Sequence, residues 1–135
     1  MRILFLCVAN SARSQVAEGL ARQLFGDAVE IESAGAHPSR VRPEAVAVLK
    51  EVGIDISHHV SKSSDSLPAE FLRSVDWVIT LCEENYCPSV VSSKARKLHW
   101  PIPDPVVMGL PGFRVVREMI REKLEKWGRE QGLLK

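Results

Sequence analysis

Apolar residues follow two patterns that alternate from the N-terminus onward. The segment Arg2–Leu6 is an apolar run behind one arginine, which is typical of a strand buried on both faces of a parallel sheet. The segment after it predicts an amphipathic helix that ends at Gly26. Its apolar positions recur at three- and four-residue spacing, at Val16, Ala17, Leu20, Ala21 and Leu24. The chain therefore begins with a strand, a loop and a helix.

The rest of the chain repeats this alternation. Further strands are predicted at Val29–Ser33 and Asp76–Leu81, with a weaker one at Arg96–Trp100. Pro43 suits the first turn of a helix that ends near Gly53. A long final helix carries one apolar stripe, at Phe113, Val116, Ile120, Leu124 and Trp127. Strands that alternate with helices predict an α/β fold built from right-handed βαβ units.

We predict a single three-layer α/β domain, residues 1–135, in which helices flank a four-stranded parallel sheet. Ligands bind such sheets beyond the carboxyl ends of the strands. Cys7 follows the first predicted strand and Cys82 follows the third, so both thiols are expected at this edge. If the two strands are neighbours, they lie about 4.8 Å apart, which makes a disulfide between the thiols sterically feasible.

Composition argues against several classes of partner. The 135 residues are 45% hydrophobic and 26% charged with a net charge of +1, so nothing electrostatic favours nucleic acid or a membrane. No stretch approaches the roughly 20 apolar residues of a membrane span, and the N-terminal apolar run is too short for a signal peptide. We therefore expect a cytoplasmic protein whose three cysteines are kept as thiols.

The loop after the first strand has the features of an oxyanion site. It starts at Cys7 and continues through Val8, Ala9, Asn10, Ser11, Ala12, Arg13 and Ser14 into the next helix. This spacing allows successive backbone N–H groups to turn inward as an anion nest, and the helix dipole adds positive charge there. The Arg13 guanidinium suits two oxygens of a tetrahedral oxyanion. The same positive groups favour the thiolate of Cys7, to which Ser14 can donate a hydrogen bond.

A proton donor for a leaving oxygen is predicted at Asp104. The surrounding sequence Pro-Ile-Pro-Asp-Pro stiffens the backbone on both sides of the aspartate. Because Asp104 follows the fourth predicted strand, it is expected at the same sheet edge as Cys7. A carboxyl group there can protonate the oxygen that departs when a cysteine attacks an oxyanion.

Several segments together resemble the thioredoxin-coupled arsenate reductases, which share the fold of the low-molecular-weight protein tyrosine phosphatases. They are the loop 7–14, the helix start 14–19, the segment 32–35, the segment 80–82 and the pair Asp104-Pro105. The resemblance covers nearly the whole chain. It implies a phosphatase-like fold with a phosphate-binding loop after the first strand. It also implies reduction of arsenate to arsenite without a cofactor.

The resemblance further implies a role for each cysteine. Cys7 attacks arsenate, and Asp104 protonates the departing oxygen. Cys82 then attacks Cys7, so that arsenite leaves and a disulfide forms between Cys7 and Cys82. Cys87 attacks Cys82 and carries the disulfide to the surface, where thioredoxin reduces it. The enzyme is expected to be a monomer.

The sequence departs from the family pattern at a cation site that some members have. Those members bind potassium through Asn, Glu, Ser and Asp side chains. Asn10, Glu18 and Ser33 match the first three, but Lys62 aligns with the aspartate. Because an ammonium group can take the place of the cation, no metal site is predicted. Ala12 also replaces a cysteine that often precedes the loop arginine.

A phosphatase is the first alternative function. A low-molecular-weight protein tyrosine phosphatase would hydrolyse phosphotyrosine with Cys7, Arg13 and Asp104. Such enzymes usually carry aromatic residues just after the Asp-Pro pair to grip the substrate ring, whereas this chain has Val106 and Val107. Hydrolysis also leaves the two downstream cysteines without a task.

A non-enzymatic zinc-binding or anion-binding module is the second alternative. Cys82, Cys87 and His99 have a borderline spacing for zinc ligands, but no second cysteine pair follows. The histidines are scattered, and each is expected to be a surface or capping residue: His37, His58, His59 and His99.

Overall fold

The computed structural model describes residues 1–82 and 94–134 of the chain. Its sheet consists of parallel strands in the order β2-β1-β3-β4. The strands are β1 (Arg2–Cys7), β2 (Glu30–Gly35), β3 (Trp77–Thr80) and β4 (Arg96–His99). The four-stranded parallel sheet predicted from the sequence is confirmed, and its carboxyl ends all lie along one edge.

The central strand β1 sets the register of the sheet. It pairs with β2 along its whole length, so that Cys7 lies opposite Gly35. On its other side it pairs with β3 as far as Leu6 opposite Thr80. The chain therefore leaves β1 between two neighbours, and the loop that starts at Cys7 is bordered by both of them.

The helices of the described residues cover both faces of this sheet. They are α1 (Arg13–Phe25), α2 (Pro43–Lys50), α3 (Ala69–Ser74) and α4 (Gly109–Gln131), with short 3₁₀ turns at Gly26–Ala28, Ser64–Ser66 and Val106–Met108. None of these helices combines the length and the apolar character needed to cross a membrane.

Alternate side chains of β1 point to opposite faces of the sheet and pack into two different apolar cores. Ile3 and Phe5 join the core formed with α1, α2 and α4. Leu4 and Leu6 face the opposite side and join a smaller core with α3, around Phe71. A strand that is apolar on both faces is what this arrangement requires, and the predicted three layers are confirmed.

The elements differ from the prediction at a few boundaries. The helix α3 was not predicted, because six residues are too few to show a helical period. The helix α4 begins at Gly109, ahead of the first residue of its apolar stripe. The strand β2 ends at Gly35 rather than Ser33, which carries it up to the loop that follows β1.

Candidate active site

Cys7 and Cys82 lie at the ends of adjacent strands. The strand β1 pairs with β3 up to Leu6 and Thr80, and the Leu81 N–H donates to the Leu6 carbonyl oxygen at 2.9 Å. Cys7 is the last residue of β1, and Cys82 follows the end of β3 by two residues. Both cysteines are buried, with 2% of each residue exposed. The two strands are therefore neighbours, which is the condition that the sequence analysis set for a disulfide between these residues.

The loop between β1 and α1 turns its carbonyl groups outward. Donors outside the loop hold three of them, since His37 N binds Val8 O, Ser61 Oγ binds Ala9 O and Arg42 N binds Ser11 O, each at 2.8 Å. In a trans peptide unit the carbonyl and the following N–H point in opposite directions. The N–H groups of residues 9, 10 and 12 therefore lie on the inner side of the loop, as an anion nest requires.

Asn10 occupies the sharpest part of this loop, with a φ of 49°, in the left-handed region that asparagine tolerates better than most residues. Its Oδ1 accepts a hydrogen bond from the backbone N–H of Lys62 at 3.0 Å. Because a backbone N–H can only donate, this contact fixes the orientation of the Asn10 amide. The Nδ2 group then donates to Ser14 Oγ at 2.7 Å and to Ser33 Oγ at 3.0 Å.

This amide orients Ser14 toward the predicted nucleophile. The buried Oγ of Ser14 lies 3.0 Å from the Cys7 sulfur. When Cys7 is a thiolate its sulfur can only accept, so the hydroxyl of Ser14, which already accepts a hydrogen bond from Asn10, donates its hydrogen to that sulfur. A hydrogen bond donated to the charged form of a group favours that form, so Ser14 favours the thiolate of Cys7.

Behind the loop, the carboxylate of Glu18 continues the network. Ser33 Oγ donates to Glu18 Oε1 at 2.5 Å, and the Arg22 guanidinium reaches Oε2 at 3.0 Å. The ammonium of Lys62 lies 3.8 Å from Oε1. Only 5% of the Glu18 side chain is exposed, and a charge buried this far needs compensation. The ammonium of Lys62 thus places a positive charge beside Glu18, the residue that matches a potassium ligand in the resembled family.

Two residues of this network were missed by the sequence analysis. The buried Gln15 donates from Nε2 to Asn10 Oδ1 at 2.9 Å and to the Val60 carbonyl at 3.1 Å. Its Oε1 pairs with His59 Nδ1 at 2.9 Å. The expectation that His59 is a surface or capping residue is wrong, because only 12% of its side chain is exposed. Burial lowers the pKa of His59 below its usual 6.5, although Glu18 opposes the shift.

The segment that carries Asp104 is joined to Arg13. The half-buried Arg13 guanidinium donates to the Ile102 carbonyl at 2.9 Å, and the Ile102 N–H donates to the Leu81 carbonyl at 3.0 Å. Asp104 itself is exposed, and its Oδ1 accepts a hydrogen bond from the Val106 N–H at 3.1 Å. The structure therefore brings the aspartate loop to the edge where β1 and β3 end.

Cys87 lies outside the described residues, so its predicted role stays a prediction. Within the ranges 1–82 and 94–134, no group of three His, Cys, Asp or Glu side chains is placed to hold a metal ion. His99 hydrogen-bonds through Nδ1 to Thr80 Oγ1, 2.6 Å away.

An oxyanion bound to the inward N–H groups would meet the sulfur of Cys7, as in enzymes that attack phosphate-like anions with a cysteine thiolate. The chain belongs to the low molecular weight phosphotyrosine protein phosphatase family, whose model matches residues 2–133. The fold and the family that the sequence predicted are thereby confirmed.

The relatives of this chain carry a more specific description. This chain is 40% identical over 128 residues to arsenate reductase 2 of Staphylococcus saprophyticus, and the alignment covers 93% of this chain and 94% of that protein. A solved arsenate reductase in its phosphate-binding state is 35% identical with a TM-score of 0.84, covering 96% of this chain and 97% of that one. A thioredoxin-dependent arsenate reductase of Corynebacterium glutamicum is 30% identical with a TM-score of 0.70, covering 93% of this chain and 60% of that one.

Proposed function

We propose that this protein is an arsenate reductase, which converts arsenate to arsenite with cysteine thiols as electron donors. The observation that carries the proposal is the position of Cys82, a second buried thiol after the strand adjacent to the one that ends in Cys7. Hydrolysis of a phosphate ester needs one thiol. Reduction of As(V) to As(III) consumes two electrons, which two thiols supply when they form a disulfide. The arsenate reductases that align with nearly the whole chain support this reaction.

The first step forms a bond between sulfur and arsenic. The Cys7 thiolate, held by Ser14, attacks arsenate while the inward N–H groups and Arg13 bind the remaining oxygens. The S–As bond replaces one As–O bond. Asp104 supplies the proton with which the displaced hydroxyl leaves as water. Arsenic is still As(V) at this point.

The second step transfers the electrons. The Cys82 thiolate attacks the sulfur of Cys7, an S–S bond forms and the S–As bond breaks. The electron pair of that bond stays on arsenic, which leaves as arsenite. Cys87 then attacks Cys82, releases the thiolate of Cys7 and forms the outer disulfide, which an external dithiol reduces. The role of Cys87 rests on the family resemblance.

Thioredoxin is the reductant we propose, since a relative of this chain is described as thioredoxin-dependent. A reducing compartment would keep the thiols ready, so we propose a cytoplasmic location. We also propose that residues 1–135 form one catalytic domain, in keeping with a family match over 2–133. The expectation of a monomer stays a prediction, which sedimentation of the purified protein tests.

Turnover of arsenate with thioredoxin, thioredoxin reductase and NADPH tests the proposal. We expect NADPH consumption that depends on arsenate and that disappears in each of three variants, Cys7→Ser, Cys82→Ser and Cys87→Ser. A matched serine control is Ser57→Ala on the exposed surface, which should retain the wild-type rate. Arsenate-dependent turnover that survives Cys82→Ser would overturn the proposed relay.

Phosphatase activity is the competing function, because Cys7, Arg13 and Asp104 would suffice for hydrolysis. The double variant Cys82→Ser/Cys87→Ser separates the two functions. A phosphatase would hydrolyse an aryl phosphate equally well with or without the two downstream thiols. A reductase loses its arsenate turnover in the same variant. The side chain of Val107 is 93% exposed. A phosphotyrosine phosphatase would be expected to carry an aromatic side chain at this place, in contact with the substrate ring.

A further inference from the structure

The oxyanion loop is pressed against the end of β2 at Gly35. Gly35 lies opposite Cys7 in the sheet, and its own N–H donates to the Lys62 carbonyl at 3.0 Å. A Cβ atom at this position would lie 2.6 Å from Val8 O and 2.7 Å from Asn10 N. Side-chain carbons do not approach backbone atoms this closely, so the loop could not keep its path beside any other residue.

The atoms that Gly35 meets are main-chain atoms of the loop itself. Asn10 N carries one of the inward N–H groups, and Val8 O is the outward carbonyl of the neighbouring peptide unit. A shift that relieved the contact would therefore have to rotate the peptide units that form the nest. A crowded side chain can move to another rotamer, whereas main-chain atoms held by hydrogen bonds cannot.

The segment that follows Gly35 holds the same loop from outside. Its backbone N–H groups at His37 and Arg42 bind two of the outward carbonyls at 2.8 Å. Ser39 N lies 3.3 Å from the Ala9 carbonyl and donates to Ser61 Oγ at 3.0 Å, and that hydroxyl donates to the same carbonyl. The end of β2 and the chain after it thus form a template along the outer side of the nest.

We infer that Gly35 is a positioning residue of the oxyanion site, because the missing side chain lets β2 fix the curvature of the loop that binds the anion. Ser61 assists it by holding the Ala9 carbonyl. The inference rests on the oxyanion site used in the proposed function, but its test needs only anion binding and the reactivity of Cys7.

The test compares Gly35→Ala with Gly128→Ala in a Cys82→Ser/Cys87→Ser background, where Cys7 is the one remaining thiol. Gly128 is the matched control, since a Cβ there would lie 2.5 Å from the Phe25 ring, at the far end of α1 from the loop. We measure binding of inorganic phosphate by calorimetry and the alkylation of Cys7 by iodoacetamide against pH. Near-ultraviolet circular dichroism and thermal unfolding establish that each variant is folded.

Gly35→Ala is expected to weaken phosphate binding by roughly tenfold or more, the effect of one misdirected hydrogen bond to a charged group. It should also shift Cys7 alkylation to higher pH, since misdirected N–H groups no longer favour the thiolate. Gly128→Ala should lose thermal stability while phosphate binding and the alkylation profile stay at the background level. A folded Gly35→Ala variant with unchanged binding and alkylation would overturn the inference, as would an equal loss of binding in both variants.

If Gly35→Ala does not fold, the variant Ser61→Ala provides a second test of the inference. It removes the hydroxyl that holds the Ala9 carbonyl and introduces no crowding, so we expect a severalfold loss of phosphate affinity. If Gly35→Ala is unfolded and folded Ser61→Ala binds phosphate with unchanged affinity, the inference that β2 and the segment after it hold the loop in shape is contradicted. If phosphate binding follows these expectations but arsenate is not reduced by the wild type, the proposed function fails and the role of Gly35 stands.

Discussion

His59 donates a hydrogen bond from Nδ1 to Oε1 of Gln15 across 2.9 Å, and the oxyanion loop dictates the direction of that bond. The Lys62 N–H donates to Asn10 Oδ1, so Gln15 must present its NH₂ group to the same oxygen. Oε1 of Gln15 therefore faces His59, which can satisfy it only with a hydrogen on Nδ1. His59 is thus connected through Gln15 to the side-chain amide of Asn10, which orients Ser14.

Replacing His59 by phenylalanine should destabilise the protein. The ring volume is kept, but the buried Oε1 of Gln15 loses its donor, and an unsatisfied buried acceptor costs about 1–3 kcal/mol. Equilibrium unfolding in urea at pH 7.5 measures the loss. His37→Phe replaces an exposed histidine and should change the free energy of unfolding little. Equal effects of the two substitutions would contradict the role given to His59.

The stability of the folded protein should fall as the pH drops below 6.5. Burial lowers the pKa of His59 in the folded state. Below pH 6.5, His59 therefore binds a proton in the unfolded chain more readily than in the folded protein. The contribution is fully present above 6.5 and is lost as the pH falls through the lowered pKa. Unfolding free energies from pH 7.5 to 5.5 should therefore decline more steeply in the wild type than in His59→Gln. Parallel pH profiles would show that His59 is not responsible.

Ser14→Ala should slow both arsenate reduction and alkylation of Cys7 at neutral pH. The variant removes the hydroxyl 3.0 Å from the sulfur, and a hydrogen bond to a charged group contributes about 1.5–3 kcal/mol. We expect a decrease of roughly 10- to 100-fold in kcat/KM for arsenate. Ser57→Ala is the control, with an expected wild-type rate. An unchanged alkylation rate in Ser14→Ala would show that the thiolate does not depend on this serine.

Glu51 joins α2 to α4 in a way that acid should break. Its carboxylate binds Arg114 and Arg117, each at 2.8 Å, and these hydrogen bonds lower its pKa from 4.5 to about 2. Its stabilising contribution is present above pH 4.5 and is lost as the pH falls toward 2. Glu51→Gln should therefore lower the Tm at pH 7, and the gap to the wild type should close toward pH 2. Glu122→Gln, on the exposed side of α4, should show no such pH-dependent gap.

The parts of the site that the sequence revealed are those with a local signal. Cys7 and Arg13 share one loop whose spacing and place between a strand and a helix can be read directly. Asp104 is marked by the prolines around it. Gln15 and His59 carry no such signal, because polar residues at a helix start and in a serine-rich stretch are ordinary, and only their contact shows their use.

The sequence by itself determined the four strands, the helices α1, α2 and α4, the anion-binding loop and the residue types available for chemistry, since these depend on periodicity and spacing along the chain. The tertiary structure alone decided that β1 and β3 are neighbours and that Gly35 fits against the loop. It also decided which atoms donate to which acceptors. The physical reason is distance along the chain: the bonds that orient Asn10 and Gln15 reach partners 52 and 44 residues away. Only folding brings such groups together.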